Sequence, residues 1–231
     1  MSKKHIPKDE ITKDLLVTYY ARFIDFLNRN TKVAIIAGVA IVAVLGLGIG
    51  YYFYEQKQDT KAEQLMTNAE KYLRESDYEK ALNGDPQDFT IGFSQIINKY
   101  GSTDAGNLSL YYAAVCEFNL NHFQKALDYI QKYEVPKGIL GVGPISLHAV
   151  ILSNLKKYKE AGDMYMKAAH WEDNDNTTPY NLIAAANAYI KAKDISNAHK
   201  AVSEVLDNYG NTPFQSQALK LDGYIQSQSK S

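Results

Sequence analysis

Residues 113–130, AAVCEFNLNHFQKALDYI, hold the pattern that decides the fold. Ala113 and Ala114 are followed by Leu120, Phe123, Ala126 and Ile130, at spacings that suit a pair of helices. The pattern returns as Ala149, Leu155, Tyr158, Ala161 and Tyr165, with Ala168 beyond. It returns again as Ala186, Tyr189, Ala192, Ile195, Ala198 and Val202. Ala126, Ala161 and Ala198 lie 35 and 37 residues apart. A small residue at the eighth position of a first helix and another at the twentieth, in a second, let the two approach closely. A Tyr or Phe between them fills the turn end. Neither helix alone can bury its apolar stripe, so each hairpin leans on the next.

The array extends in both directions. Phe93-xx-Ile96-Ile97-xx-Tyr100-Gly101-Ser102-Thr103 echoes Val202-xx-Val205-Leu206-xx-Tyr209-Gly210-Asn211-Thr212. Both read as a second helix running out through Tyr-Gly into the cap of the next, which Ser102 or Thr103 would supply. Residues 58–100 are therefore expected to form a divergent first hairpin. Its first helix is predicted over 58–82, with Ala62, Leu65, Ala69, Tyr72 and Leu73 on one side. Asn83-Gly84-Asp85-Pro86 would end it, and a second helix would follow over 86–100. Repeats and a closing helix occupy 105–227, the closing helix turning Phe214, Ala218, Leu221 and Ile225 inward. Thr178-Pro179 and Thr212-Pro213 each place a hydroxyl cap before a proline, a good helix start. Roughly nine helices are expected in this part.

Upstream lies an apolar run, Val33 to Tyr54, without a charged residue over 22 positions. As a helix it would be about 33 Å long, enough to cross a bilayer core. It begins after 32 residues and ends in Tyr51-Tyr52-Phe53-Tyr54 rather than a small-residue cleavage pattern. A retained anchor over 33–54 is expected, not a signal peptide, with the aromatic cluster at the headgroup boundary. In the leader, 1–32, residues 1–10 lack periodicity and read as disordered. Leu16, Tyr20, Phe23 and Leu27 then recur at three- and four-residue intervals, with Arg22, Asp25 and Arg29 between them. This amphipathic helix either lies at the cytoplasmic interface or simply extends the membrane helix. Gly46 and Gly50 form a GxxxG pair suited to helix packing. Lys3, Lys4 and Lys8 tip an otherwise even flanking charge toward a cytoplasmic N-terminus.

Composition excludes several classes. Residues 1–32 carry seven Lys/Arg against four Asp/Glu, and the part after the run carries 18 against 22. That balance lacks the positive footprint that nucleic acid binding needs. Cys116 is the only cysteine, so neither an intrachain disulfide nor a cysteine-based metal cluster can form. It reads as a small core residue. His5, His122, His148, His170 and His199 are scattered without ligand spacing, and no metal site is expected. Gly138, Gly141 and Gly143 lack the Gly-Lys-Ser/Thr of a phosphate loop and read as a bent hairpin junction. Glu172, Asp173 and Asp175 beside Trp171 read as a solvated loop rather than a calcium site. No catalytic residue and no cofactor are expected.

The near-34-residue period is that of tetratricopeptide repeats. Ala81-Leu82-Asn83-Gly84-Asp85, Gly92-Phe93, Ile97-xx-Tyr100-Gly101-Ser102-Thr103-xx-Gly106-Asn107-Leu108, Tyr111-Tyr112-Ala113 and Asn176-Thr177-Thr178-Pro179-Tyr180 resemble membrane-anchored tetratricopeptide proteins of the Bacteroidetes group. The layout is similar to that of the ancillary Sec translocon subunit. The resemblance implies an all-α chain: one N-terminal transmembrane helix, then a tetratricopeptide-like right-handed α-solenoid. It also implies an inner-membrane protein with a cytoplasmic N-terminus and periplasmic repeats. Such a protein would meet translocon subunits or secreted clients, and hand clients to chaperones or outer-membrane assembly. The resemblance supplies no catalytic residues.

In this repeat class the second, fifth, ninth, twelfth and thirteenth positions of the first helix face a groove. Here those are Leu108, Tyr111, Val115, Phe118 and Asn119, then Gly143, Ser146, Val150, Ser153 and Asn154, then Tyr180, Ile183, Asn187, Ile190 and Lys191. Asn119 and Asn154 would form a ladder for peptide backbone, and Tyr111, Phe118 and Tyr180 flat apolar contact area. Tyr111 and Val115 stand where some relatives carry a Lys/Asn carboxylate clamp, so no free C-terminus is required of the ligand. The expectation is a protein-binding scaffold or chaperone-like adaptor. The alternative is a homo-oligomeric organiser of the cell envelope, joined through the anchor and the closing helix.

Overall fold

A computed structural model describes residues 8–228, and side chains from residue 17 onward. The aperiodic leader expected over 1–10 falls mostly outside the described residues, as do Lys3, Lys4 and His5; helix begins at Lys8. Every regular element among the described residues is helical. Two units divide after Gln56.

The first unit holds α1 (Lys8–Arg29) and the whole apolar run of α2 (Thr31–Arg74). A window of α2 reaches a mean hydropathy of 2.7 with none of it buried, long and apolar enough to cross a membrane. Gly46 and Gly50 both face open space, with nothing within 4 Å of a built Cβ.

The second unit runs from the distal part of α2 through α3 (Tyr78–Asn83), α4 (Phe93–Tyr100), α5 (Asp104–Asn119), α6 (Phe123–Ile130), α7 (Val142–Asn154), α8 (Tyr158–Ala169), α9 (Thr177–Lys191), α10 (Ile195–Asn208) and α11 (Gln215–Gln228). A single 3-10 turn, Ile139–Gly141, precedes α7. Consecutive helices pack on one another in the layout of an α-solenoid. The alanine pairs are the contact points. Ala114 and Ala126, Ala149 and Ala161, and Ala186 and Ala198 are all fully buried.

A fourth pair, Ala69 and Ala81, has the same twelve-residue separation and the same complete burial. The first hairpin therefore turns at Ser76, not at 83–86 as the sequence suggests. Each of the four turns carries a residue at positive φ: Ser76 at 62°, Asn121 at 62°, Lys156 at 61° and Lys193 at 61°. Each also repeats one backbone pattern. The N–H of Asp77, His122, Lys157 or Asp194 donates to the carbonyl five residues back, on Tyr72, Glu117, Leu152 or Tyr189. This satisfies carbonyls left over at the end of the first helix. The predicted helix over 58–82 is thus two helices.

The second helix of that hairpin is interrupted, which corrects the predicted helix over 86–100. Ala198 and Val202 are four residues apart, whereas the corresponding Ala81 and Phe93 are twelve apart, so eight residues are inserted. They form a loop whose ends meet. Gly84 takes φ 81°, and a Cβ on Gly92 would collide with Leu82 O and Gly84 N. Ser94 Oγ donates to Leu82 O at 2.7 Å and Gln95 Nε2 to Asn83 O at 3.2 Å, capping α3. Lys80 Nζ pairs with Asp85 Oδ2 at 2.8 Å, and Tyr72 Oη donates to Asp88 Oδ2 at 2.7 Å. Phe89 stands at the tip, 94% exposed.

The two Tyr-Gly exits match as the sequence indicates. Thr103 and Thr212 each donate through backbone N–H and side-chain hydroxyl to the Tyr100 or Tyr209 carbonyl. Thr103 Oγ1 also accepts from Gly106 N, capping α5. The caps expected at Thr178 and Thr212 are not formed. Thr178 lies inside α9, buried, with its hydroxyl on Ala169 O at 3.1 Å, and Asn174 Oδ1 accepts from Asn176 N and Thr177 N instead. Helix α11 starts beyond Thr212, at Gln215. Its Ala218 and Ile225 are buried, and Phe214 and Leu221 pack against the same core.

Candidate functional site

A cavity of about 380 Å³ opens where α7, α9 and the approach to α11 converge. Val142, Gly143 and Ser146 from α7 form one wall, and Thr177, Tyr180 and Asn181 from α9 the other. Ile139, Asn176 and Phe214 close the rim. Tyr180 is 56% exposed and meets the Phe214 ring edge-on, with centroids 6.4 Å apart. Ile139 is 53% exposed, and the neighbouring Leu140 more so. Tyr180 and Ile139 thus give the cavity an apolar mouth.

The floor is polar but internally satisfied. Ser146 Oγ lies 2.8 Å from Asn181 Oδ1 and 2.9 Å from Val142 O, while Asn181 Nδ2 donates to Thr177 O at 2.8 Å. The rim is held from two sides. Asn107 Nδ2 donates to Glu134 O at 3.0 Å, and Glu134 N donates back to Asn107 Oδ1 at 2.9 Å. Trp171 Nε1 donates to Pro136 O at 3.1 Å, and Gly141 packs so tightly on that indole that a Cβ would collide with it. A fixed rim lowers the ordering cost of binding. None of the lining residues is a carboxylate, a cation or a thiol. The groove therefore offers apolar area and neutral hydrogen bonds.

Of the groove positions read from the sequence, Gly143, Ser146 and Tyr180 come together here. The others sit elsewhere. Tyr111 is half-buried between Tyr112 and Tyr133, each with a centroid 5.6 Å away, and Phe118 lies against Phe123 at 5.6 Å. Val115 is half-buried. Asn119, Asn154 and Asn187 share one arrangement: each side-chain amide donates to the carbonyl four residues back, on Val115, Val150 or Ile183, at 2.8–2.9 Å. Asn119 and Asn154 are exposed at the ends of α5 and α7. Lys191 lies over the Tyr158 ring, 5.6 Å from its centroid. Ile139, Asn176 and Phe214 were not found by repeat position, because they belong to irregular connections between hairpins.

The remaining titratable groups are structural in setting. Burial pushes the Cys116 thiol up to about 12, which keeps it protonated in a core where it is fully covered. The buried Glu117 carboxylate meets His122 Nδ1 at 2.8 Å, with Lys125 Nζ at 3.9 Å. Among the described residues, no three His, Cys, Asp or Glu side chains gather as a metal site. No family model, no curated protein and no solved structure matches this chain.

Proposed function

We propose that the chain is a membrane-tethered scaffold or chaperone-like adaptor that presents its repeat groove to polypeptide segments. The open apolar groove around Tyr180 carries this reading, since its preset rim and neutral floor suit a peptide better than a charged ligand. The long apolar helix α2 supports tethering. Resemblance to Bacteroidetes tetratricopeptide proteins and to the translocon layout suggests where this happens. In that reading α2 spans the inner membrane once, the N-terminus is cytoplasmic, and the repeats meet translocon subunits or secreted clients in the periplasm. The chain acts by binding and not as an enzyme. A second reading, a homo-oligomeric organiser, is favoured by the open space at Gly46 and Gly50, where another helix can approach.

The test is retention of an unfolded model polypeptide, reduced and carboxymethylated α-lactalbumin, by the full-length chain in vesicles. Tyr180 is exposed, so Tyr180→Asp leaves the fold intact and should weaken retention by an order of magnitude or more. Retention unchanged by Tyr180→Asp and by Ile139→Asp excludes the groove as the binding face. Protease treatment of intact spheroplasts tests the placement: repeats that resist digestion until the inner membrane is breached contradict a periplasmic location.

A further inference from the structure

Helix α1 carries an apolar surface that is exposed among the described residues. At 100° per residue, Val17, Tyr19, Tyr20, Phe23, Ile24, Phe26 and Leu27 fall within about half of its circumference. Thr18, Ala21, Arg22, Asp25, Asn28 and Arg29 fill the other half. The first six apolar side chains are all exposed, Tyr20 to 68%. On the polar half, Arg29 Nε pairs with Asp25 Oδ2 at 3.2 Å.

The junction with α2 permits the turn that an in-plane placement needs. Helix α1 ends at Arg29 and α2 begins at Thr31, with Asn30 as a turn residue between them. Asn30 keeps both helical backbone bonds, its N–H donating to Phe26 O and its carbonyl accepting from Ala34 N, each at 3.0 Å, while Asn30 Nδ2 adds a second donor on Phe26 O at 3.1 Å and Thr31 Oγ1 takes the Asn28 carbonyl at 3.0 Å. A side chain engaging a ladder carbonyl is one of the features at which a helix can bend. Only Thr31 and Lys32 separate Asn30 from the uncharged run that begins at Val33. Continued straight out of the bilayer, α1 would hold its apolar half in water. Turned at Asn30, it buries that half in the adjacent leaflet and keeps Arg22, Asp25 and Arg29 in the headgroups.

The geometry points to α1 as an in-plane membrane helix, its Tyr19–Phe26 face seated at the headgroup–acyl boundary of the leaflet that α2 enters. The occupant is lipid because the face is continuous with the span. It is rich in tyrosine and phenylalanine, rings that suit that boundary. Arg22, Arg29 and Lys32 against Asp25 alone give the junction a positive excess that favours anionic headgroups. This rests on α2 spanning the bilayer, and the experiment separates the two claims.

Single nitroxide labels at positions 22, 23, 25, 27 and 39 of the full-length chain, on a Cys116→Ala background, are reconstituted into vesicles of phosphatidylcholine with phosphatidylglycerol. Accessibility to oxygen and to a water-soluble nickel chelate is then read. The expected result is lipid exposure at 23, 27 and 39, with water exposure at 22 and 25. The oxygen-to-nickel ratio should differ at least several-fold between 23 and 25. Equal ratios at 23 and 25 with a lipidic 39 overturn the in-plane helix and leave the span intact. Spin–spin broadening at 23 with low access to both reagents shows a second copy on the face and also overturns it. Water exposure at 39 removes the span, and this inference with it.

Discussion

The backbone of Gly162 lies flat against the ring of Tyr189, so close that a Cβ at residue 162 would stand 2.6 Å from Cε1. The contact joins α8 to α9 beside the buried Ala161 and Ala198, and Tyr189 Oη reaches on to Asp163 Oδ1 at 2.7 Å. A methyl group here forces either helix outward. Overpacking of this kind costs about 1–3 kcal/mol, more than the roughly 1 kcal/mol that Ala gains over Gly within a helix. Gly162→Ala should therefore lower the urea midpoint of the full-length chain in detergent micelles. Gly223→Ala, in α11 with open space around it, should raise the midpoint by the helix term alone. Equal shifts for both would contradict the close packing of α8 on α9.

The hairpin turns store strain at residues that are not glycine. Lys156 and Lys193 hold φ 61°, a conformation costing an L-residue roughly 1–2 kcal/mol. Glycine removes that strain but adds about 0.5–1 kcal/mol of unfolded-state entropy. Lys193→Gly should thus be neutral to stabilising by about 1 kcal/mol. Lys157→Gly, at ordinary negative φ, should destabilise. Denaturant midpoints measured side by side check the pair.

The inserted loop makes a register prediction. Excising residues 85–92 with Gly84→Ala should join α3 and α4 into one helix with Phe93 in the place that Val202 holds in α10. Removing seven or nine residues instead rotates the Phe93, Ile96 and Tyr100 face by about 100° away from the core. Circular dichroism and thermal melts should show a cooperative fold for the eight-residue excision and a large loss for the other two. Three indistinguishable variants would contradict the eight-residue insertion.

Alkaline stability follows from the buried tyrosines. Burial pushes Tyr165 up to about 12, and burial with the hydrogen bond to Asp173 takes Tyr209 up to about 12. Tyr189 is raised as well, by burial and then by its bond to Asp163. A phenol whose folded pKa lies above its unfolded value of about 10 stabilises the neutral folded form. That contribution is complete below pH 10 and is lost as pH climbs through 12. Tm should be flat across neutral pH and fall between about 10 and 12. Tyr189→Phe and Tyr209→Phe should flatten the fall.

The repeat was legible because small residues recur at matching positions with a nearly constant spacing: three alanine pairs sufficed to place three hairpins. The first hairpin was misplaced because Asn83-Gly84-Asp85-Pro86 carries every helix-stop signal, whereas the true turn at Glu75-Ser76-Asp77 carries neither Gly nor Pro. Its positive φ is imposed by packing of the two helices, not by local preference. Within the groove, Gly143, Ser146 and Tyr180 followed from repeat position. Ile139 and Phe214 did not; the place of Ile139 depends on how Trp171 and Asn107 pin its connection. These are contacts between residues 27 and 35 positions apart that no local pattern encodes.

The central claim is that the groove around Tyr180 is where polypeptides bind. Photo-crosslinking tests it most directly, with a benzophenone amino acid at Tyr180 of the full-length chain in native membranes, and at Lys159 as an exposed site outside the groove. The account predicts adducts between Tyr180 and labelled secretory or translocon polypeptides, at least tenfold above those from Lys159, and their loss on Phe214→Ala. Equal yields from the two positions, or adducts only with other copies of the chain, would contradict it.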